Sequence, residues 1–132
     1  MLIIKSVEDK KLQEEFCLKC NTKYLADDMC YAAYVDDVFT GICQFTMNDE
    51  YGYIHDLRLI PNVEDFEAIF IMGRATMNFI DLRGVHTVRC PKNAGSERVL
   101  KAIGFQKEIS KTEWEADMQG MFDGSHCASH HK

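Results

Sequence analysis

Apolar positions along this chain switch between a period of two and a period near 3.6, and the switches divide it into strands and helices. Residues 2–7 are a short apolar run that predicts a strand. Residues 8–20 carry Leu12, Phe16 and Cys20 at helical spacing among charges, which predicts an amphipathic helix. Residues 21–28 are polar and predict a loop with a short helical turn. Three runs rich in β-branched and aromatic residues follow, at 30–35, 38–47 and 53–60. Asp36-Asp37 and the polar stretch 48–52 separate them, and Pro61 ends the last. Connections this short make the three strands consecutive and antiparallel.

The period then changes. Phe66, Ile69, Phe70, Gly73, Met77 and Ile80 form one apolar stripe over residues 65–83, with Ile71, Met72, Phe79 and Leu82 beside it. Only Glu67, Arg74, Asn78 and Asp81 make a polar strip. So wide an apolar surface predicts a central helix with sheet on one side and more protein on the other, stopped by Gly84. Residues 85–90 predict a strand, 96–103 a short helix closed by Gly104, and 105–109 with 113–118 a final hairpin. The order βα, βββ, α, β, α, ββ is that of an α/β (α+β) domain with a mixed, mostly antiparallel sheet and flanking helices. With 132 residues, one domain is expected over 1–122, followed by a polar tail over 123–132 that holds Cys127 and three of the five histidines.

Charge and length narrow the function. A net charge of −6 argues against nucleic acid, whose phosphates reward a basic face. No apolar run approaches the ~18 residues a membrane-spanning helix needs, so no membrane partner is expected. The first residues show no basic region followed by a long apolar stretch, which leads to the expectation of a cytoplasmic chain with reduced thiols.

Four stretches carry a family resemblance. They are Tyr51-Gly-Tyr-Ile-His-Asp-Leu-Arg-Leu-Ile-Pro61, the long helix from Asp65, Val85-His-Thr-Val-Arg-Cys90, and residues 93–105 from Asn93 to Gly104-Phe105. With the element order, they make the chain resemble the GCN5-related N-acetyltransferase (GNAT) superfamily. The resemblance implies a splayed central strand pair, at 53–60 and 85–90, with acyl-CoA lying between the two strands. It implies that Leu57 and Leu59 offer backbone groups to pantetheine, and that Asn93 and Ser96 border the same cleft. It also implies a pyrophosphate at the start of the long helix, where free N–H groups and the helix dipole favour anions. A small-molecule or peptide amine would be the acceptor, with acetyl-CoA as co-substrate.

The chain departs from that pattern in two places. The family's phosphate loop reads Gln or Arg, two residues, Gly, one residue, Gly or Ala; here the stretch is Pro61-Asn-Val-Glu-Asp-Phe-Glu67, with neither glycine nor a basic residue. Glu64, Asp65 and Glu67 stand where phosphate charge would land. At an effective dielectric of ~20, each carboxylate within ~5 Å of a phosphate opposes binding by about 3 kcal/mol. These acids read instead as caps and dipole partners of the helix, with Asn62 a further cap candidate. The family also often carries a tyrosine four residues before the Gly-Phe glycine, as the acid for the coenzyme thiolate. Leu100 occupies that position. Positive charge for an acyl-CoA in another pose would come from Arg58, Arg89, Lys92 or Arg98.

His55 is the best catalytic candidate, a neutral imidazole on the splayed strand able to act as base for an amine. Strict alternation places it on the face shared with Tyr53, Leu57 and Leu59 and turns Asp56 to the other. Cys17 and Cys20 form a C-x-x-C that places both sulfurs on one helix face, and Cys127 and His130 have C-x-x-H spacing. Zinc on those four requires the tail to fold back, so packed thiols are the simpler reading. The sequence thus leads to an acyl-CoA-dependent N-acyltransferase with an atypical cofactor site. The alternative is a non-catalytic GNAT-like binding or regulatory module, with metal binding through Cys and His as one form of it.

Overall fold

In a computed structural model, residues 1–122 are described. The order is β1 (Leu2–Ser6), α1 (Lys10–Lys19), β2 (Met29–Val35), β3 (Val38–Met47), β4 (Gly52–Leu59), α2 (Phe66–Asp81), β5 (Thr87–Pro91), α3 (Glu97–Ile103), β6 (Lys107–Glu108) and β7 (Glu113–Asp117). The seven strands make one sheet in the order β1-β2-β3-β4-β5-β7-β6. Every neighbouring pair is antiparallel except β4 and β5, which run parallel.

Alternation along the strands divides the core between the two faces of the sheet. Cys43, Phe45, Ile54, Leu57 and Val88 turn toward α2 and α3 and bury Ile69, Met72, Met77, Ile80, Leu100 and Ile103. Cys30, Ala32, Phe39 and Ile42 turn the other way, against Phe16 and Cys17 of α1 and Cys20 at its C-terminal cap. The Phe16 and Phe39 rings stack at 3.8 Å between centroids, fixing α1 over β3.

Capping sets the helix ends. Asp9 caps α1 through the Lys11 amide, and Ser96 caps α3 through the Val99 amide. Asp65, not Asn62, caps α2: its carboxylate accepts from the Ala68 amide at 3.0 Å, while Asn62 takes a left-handed φ of 70° in the preceding loop. Gly84 and Gly104 follow α2 and α3 with φ of 86° and 135°.

The wide apolar surface of α2 is covered on one side only. Ala68, Ile69, Met72, Gly73, Thr76, Met77 and Ile80 are buried against the sheet and α3. Phe66, Ile71 and Leu82 remain exposed, so the expectation of protein on both sides is corrected. The polar strip is also less solvated than its pattern suggests. Arg74 donates to the Ile103 carbonyl at 2.8 Å and ties α2 to the end of α3, and Asp81 pairs with His86.

Candidate functional site

The β4–β5 pairing is two residues long. Gly52 faces Val88 and Tyr53 faces Arg89, after which the strands diverge and residues 54–59 of β4 have no β5 partner. A parallel pair that stops after one dipeptide leaves backbone amides and carbonyls of both strands unpaired by sheet. The fork opens toward the C-terminal ends of both strands.

A bulge sits where the fork begins. Gln44 of β3 pairs with Asp56, the next residue Phe45 pairs with Ile54, and His55 is left as the extra residue. An inserted residue breaks the alternation, so His55 and Asp56 point to the same side. His55 bonds to Asp28 and Asp56 to Thr22, both in the loop between α1 and β2, whereas Leu57 joins the core beneath α2. Two sequence expectations are therefore corrected. His55 shares its face with Tyr53 but not with Leu57 or Leu59, and Asp56 lies on the His55 side.

His55 Nδ1 is 2.6 Å from the Asp28 carboxylate, and the Tyr53 ring is 4.6 Å away centroid to centroid. With Asp28 ionised the carboxylate only accepts, so the Nδ1–H donates and the Nε2 lone pair is left free. Asp28 is 5% exposed. Burial pushes its carboxyl up, opposed by the His55 and Lys10 charges. His55, about one-third exposed, opens onto a hollow of about 410 Å³ lined also by Thr46, Met47, Asn48, Tyr51 and Tyr53. The Tyr53 hydroxyl donates to Glu113, and burial followed by that carboxylate raises its pKa.

On the other side of the fork lies a cleft of about 800 Å³ between residues 57–66 and the start of α3. Leu57 and Leu59 line it, and so does Ser96. Asn93 does not; it is exposed at the rim, where its carbonyl accepts from Arg58 at 2.9 Å. The Leu57 amide is already used, donating to the Ala94 carbonyl at 2.7 Å. Leu59, two residues on, turns its amide to the same side of the strand.

Charge in the cleft is mixed. Glu64 and Asp65 contribute acid, and Arg58 and Arg98 oppose it. Arg98, on the first turn of α3, places its guanidinium 4.4 Å from the centre of the Phe66 ring, at the first residue of α2. Of the four basic candidates, the other two are elsewhere: Arg89 pairs with Glu115 and covers Tyr51, and Lys92 pairs with Glu108. Leu100 is fully buried in the core and offers no proton.

By sequence the chain matches no protein-family model and no curated protein. By structure it superposes on the PaiA N-acetyltransferase of Thermoplasma acidophilum in complex with coenzyme A, with a TM-score of 0.72 at 13% identity over 89% of this chain and 99% of that one. Aminoglycoside 6′-acetyltransferase type Ii gives a TM-score of 0.69 at 10% identity, over 88% and 97%. The N-acetylglutamate synthase of Neisseria gonorrhoeae, complexed with coenzyme A and N-acetyl-glutamate, gives 0.71 at 10% over 89% of this chain and 35% of the synthase.

The fold is that of the GCN5-related N-acetyltransferases.

Whether the residues of this GNAT fold suit coenzyme A differs between the two ends of the cleft. At the α2 end, one of the free helix N–H groups is taken by Asp65 itself, and Glu64 adds repulsion. Arg98 brings one guanidinium to the cleft; Arg58 brings a second that is partly engaged, its Nε paired with Asp56 and its Nη2 donating to the Asn93 carbonyl, so only part of it is left for phosphate oxygens. Leu57, Leu59, Ile60 and Val99 give the cleft an apolar wall. The positive charge of the cleft is arginine, and residues 61–67 at the start of α2 contain no glycine.

Metal chemistry finds less support. Among the described residues no three His, Cys, Asp or Glu side chains group to hold an ion. Cys17 and Cys20 are buried free thiols, and burial pushes them up to about 11 and about 12. Cys127 and His130 lie outside the described residues. Among the described residues no helix is long and apolar enough to cross a membrane.

One participant escapes the sequence pattern. Asp28 sits in a polar loop with no motif, 27 positions from His55, and only the fold brings the pair together. Arg98 is one of four basic candidates in the sequence, and the docking of α3 beside the start of α2 is what singles it out with Arg58.

Proposed function

We propose that the chain is an acyl-CoA-dependent N-acyltransferase whose acceptor is a primary amine on a small molecule or peptide. Its coenzyme site is atypical, built on Arg58 and Arg98. The observation that carries this reading is the His55–Asp28 pair at the apex of the β4–β5 fork, with the 800 Å³ cleft beyond it.

Each role follows from a group's chemistry. Asp28 accepts the Nδ1–H of His55 and so leaves Nε2 basic. Nε2 takes a proton from the acceptor ammonium, and the amine nitrogen gains a lone pair for attack. The bulge aims this imidazole away from the α2 side, so amine and coenzyme approach the fork from different faces. Acyl-CoA, when bound, would supply the acyl group as an activated thioester, and the departing thiolate would take its proton from solvent because Leu100 offers none. Arg58 and Arg98 would hold its phosphates, Leu59 would offer its backbone amide, and Ser96 would border the arm. The buried free cysteines 17, 20, 30, 43 and 90 support a reducing, cytoplasmic setting.

The test is release of free coenzyme A thiol from acetyl-CoA across a panel of diamines, amino sugars and peptides with free amino groups. Amine-dependent release is expected, and His55→Gln lowers it by about 10²–10⁴-fold. No amine-dependent release, or full activity in His55→Gln, overturns the assignment.

A second reading, a non-catalytic binding module on the GNAT fold, is favoured by the engaged Leu57 amide and the acids at α2. Failure to bind acetyl-CoA at all selects it.

A further inference from the structure

The loop between α1 and β2 carries both Thr22 and Asp28, and it has no ladder of its own to hold it. Its fastening comes from two buried amides. Gln44 of β3 is fully buried; its Nε2 donates to the Lys23 carbonyl at 2.9 Å and its Oε1 accepts from the Leu25 amide at 3.0 Å. That same Oε1 accepts at 2.9 Å from Nε2 of Gln13, which is also fully buried. Gln13 in turn donates to the Leu25 carbonyl and accepts from Lys10, whose ammonium reaches the Asp28 carbonyl at 2.5 Å. No buried side-chain nitrogen or oxygen among the described residues is left without a partner.

We infer that Gln44 is a positioning residue for the His55–Asp28 pair, clamping the Asp28 loop to the strand opposite the bulge. Its place in the register argues for this. Gln44 pairs with Asp56, the neighbour of the bulged His55, so one irregularity in the ladder sets both the clamp and the imidazole. An apolar residue at 44 would bury the Lys23 carbonyl and the Leu25 amide without partners, a penalty the loop avoids only by lifting away. Asp28 would lift with it. The catalytic meaning of the clamp rests on His55 being the base, but the clamp itself is read without any turnover.

Imidazole ¹⁵N shifts report which ring nitrogen of His55 carries the proton. In the wild type the Nδ1–H form is expected in about tenfold excess, giving way in Gln44→Leu, as in Asp28→Ala, to the Nε2–H form that an unpaired imidazole prefers. Thr76→Val removes another buried polar group, one that bonds to the Met72 carbonyl of α2, and is expected to leave the ratio unchanged. A folded Gln44→Leu with the wild-type ratio, or an equal shift in Thr76→Val, overturns the inference. Should Gln44→Leu fail to fold, hydrogen exchange on the wild type decides. The Leu25 amide is expected to exchange at least about a hundredfold slower than an open loop amide, and exchange at the open rate refutes the clamp. Inactivity toward every amine, with both results as expected, would instead count against His55 as base.

Discussion

The Leu57 amide and the Ala94 carbonyl meet at 2.7 Å, closing by one hydrogen bond the fork that β4 and β5 leave open. The loop after β5 comes this close because residue 95 has no side chain. A Cβ there would stand 2.9 Å from the Leu57 carbonyl oxygen, and backbone cannot yield as a flexible side chain can. Gly95→Ala is expected to push residues 93–95 off β4 and to lower stability by about 1–3 kcal/mol, read from the denaturant midpoint. A midpoint equal to wild type would mean that the loop is not seated on the strand.

The pH dependence of stability follows from Asp28. Burial holds its carboxyl above the ordinary carboxylate range, so the folded state disfavours the ionised form relative to the unfolded chain. The stability it contributes is therefore present at acid pH, below the unfolded value of 3.8, and is lost as pH rises through the raised folded value. Asp28→Asn, which cannot ionise, should match or exceed the wild-type melting temperature at pH 7, with the difference shrinking toward pH 3. It should nonetheless lose acyl transfer. A variant markedly less stable than wild type at pH 7 would show that the His55 hydrogen bond and the Lys10 charge outweigh desolvation.

How much of this was legible depends on the residue. The strand at 53–60 and the helix after it are evident from periodicity, because burial on one face imposes a repeat on the sequence. The bulge is not evident, since the extra residue is set by pairing with Gln44 and Phe45 of another strand. Reading strict alternation through His55 consequently places it with Leu57 and Leu59, one face away from where it lies. Arg98 is visible only as one of four basic candidates, for a related reason. Its charge enters the cleft through the packing of α3 beside α2, and no local pattern encodes that approach. The acids at 64 and 65, by contrast, are visible in sequence and do line the cleft.

Thiol chemistry offers a separate check. Cys20 lines the cleft yet is 3% exposed, and burial raises its thiol to about 12. At pH 8 its thiolate fraction is about 10⁻⁴, against roughly a quarter for a free cysteine. Cys17, Cys20, Cys30, Cys43 and Cys90 should stay unlabelled by a thiol reagent in the native protein and label together in urea. Prompt native labelling of Cys20, mapped by peptide mass, would mean that α1 opens over the cleft.

Calorimetric titration of acetyl-CoA tests most directly the proposal that arginines, in place of a glycine loop, hold acyl-CoA on this chain. Saturable binding is expected for the wild type. Arg98→Glu, on the exposed first turn of α3, should fold normally and bind about tenfold more weakly or worse, as the loss of one charge-assisted phosphate contact predicts. No binding heat at millimolar acetyl-CoA, or an Arg98→Glu isotherm that overlays the wild type, would contradict the account.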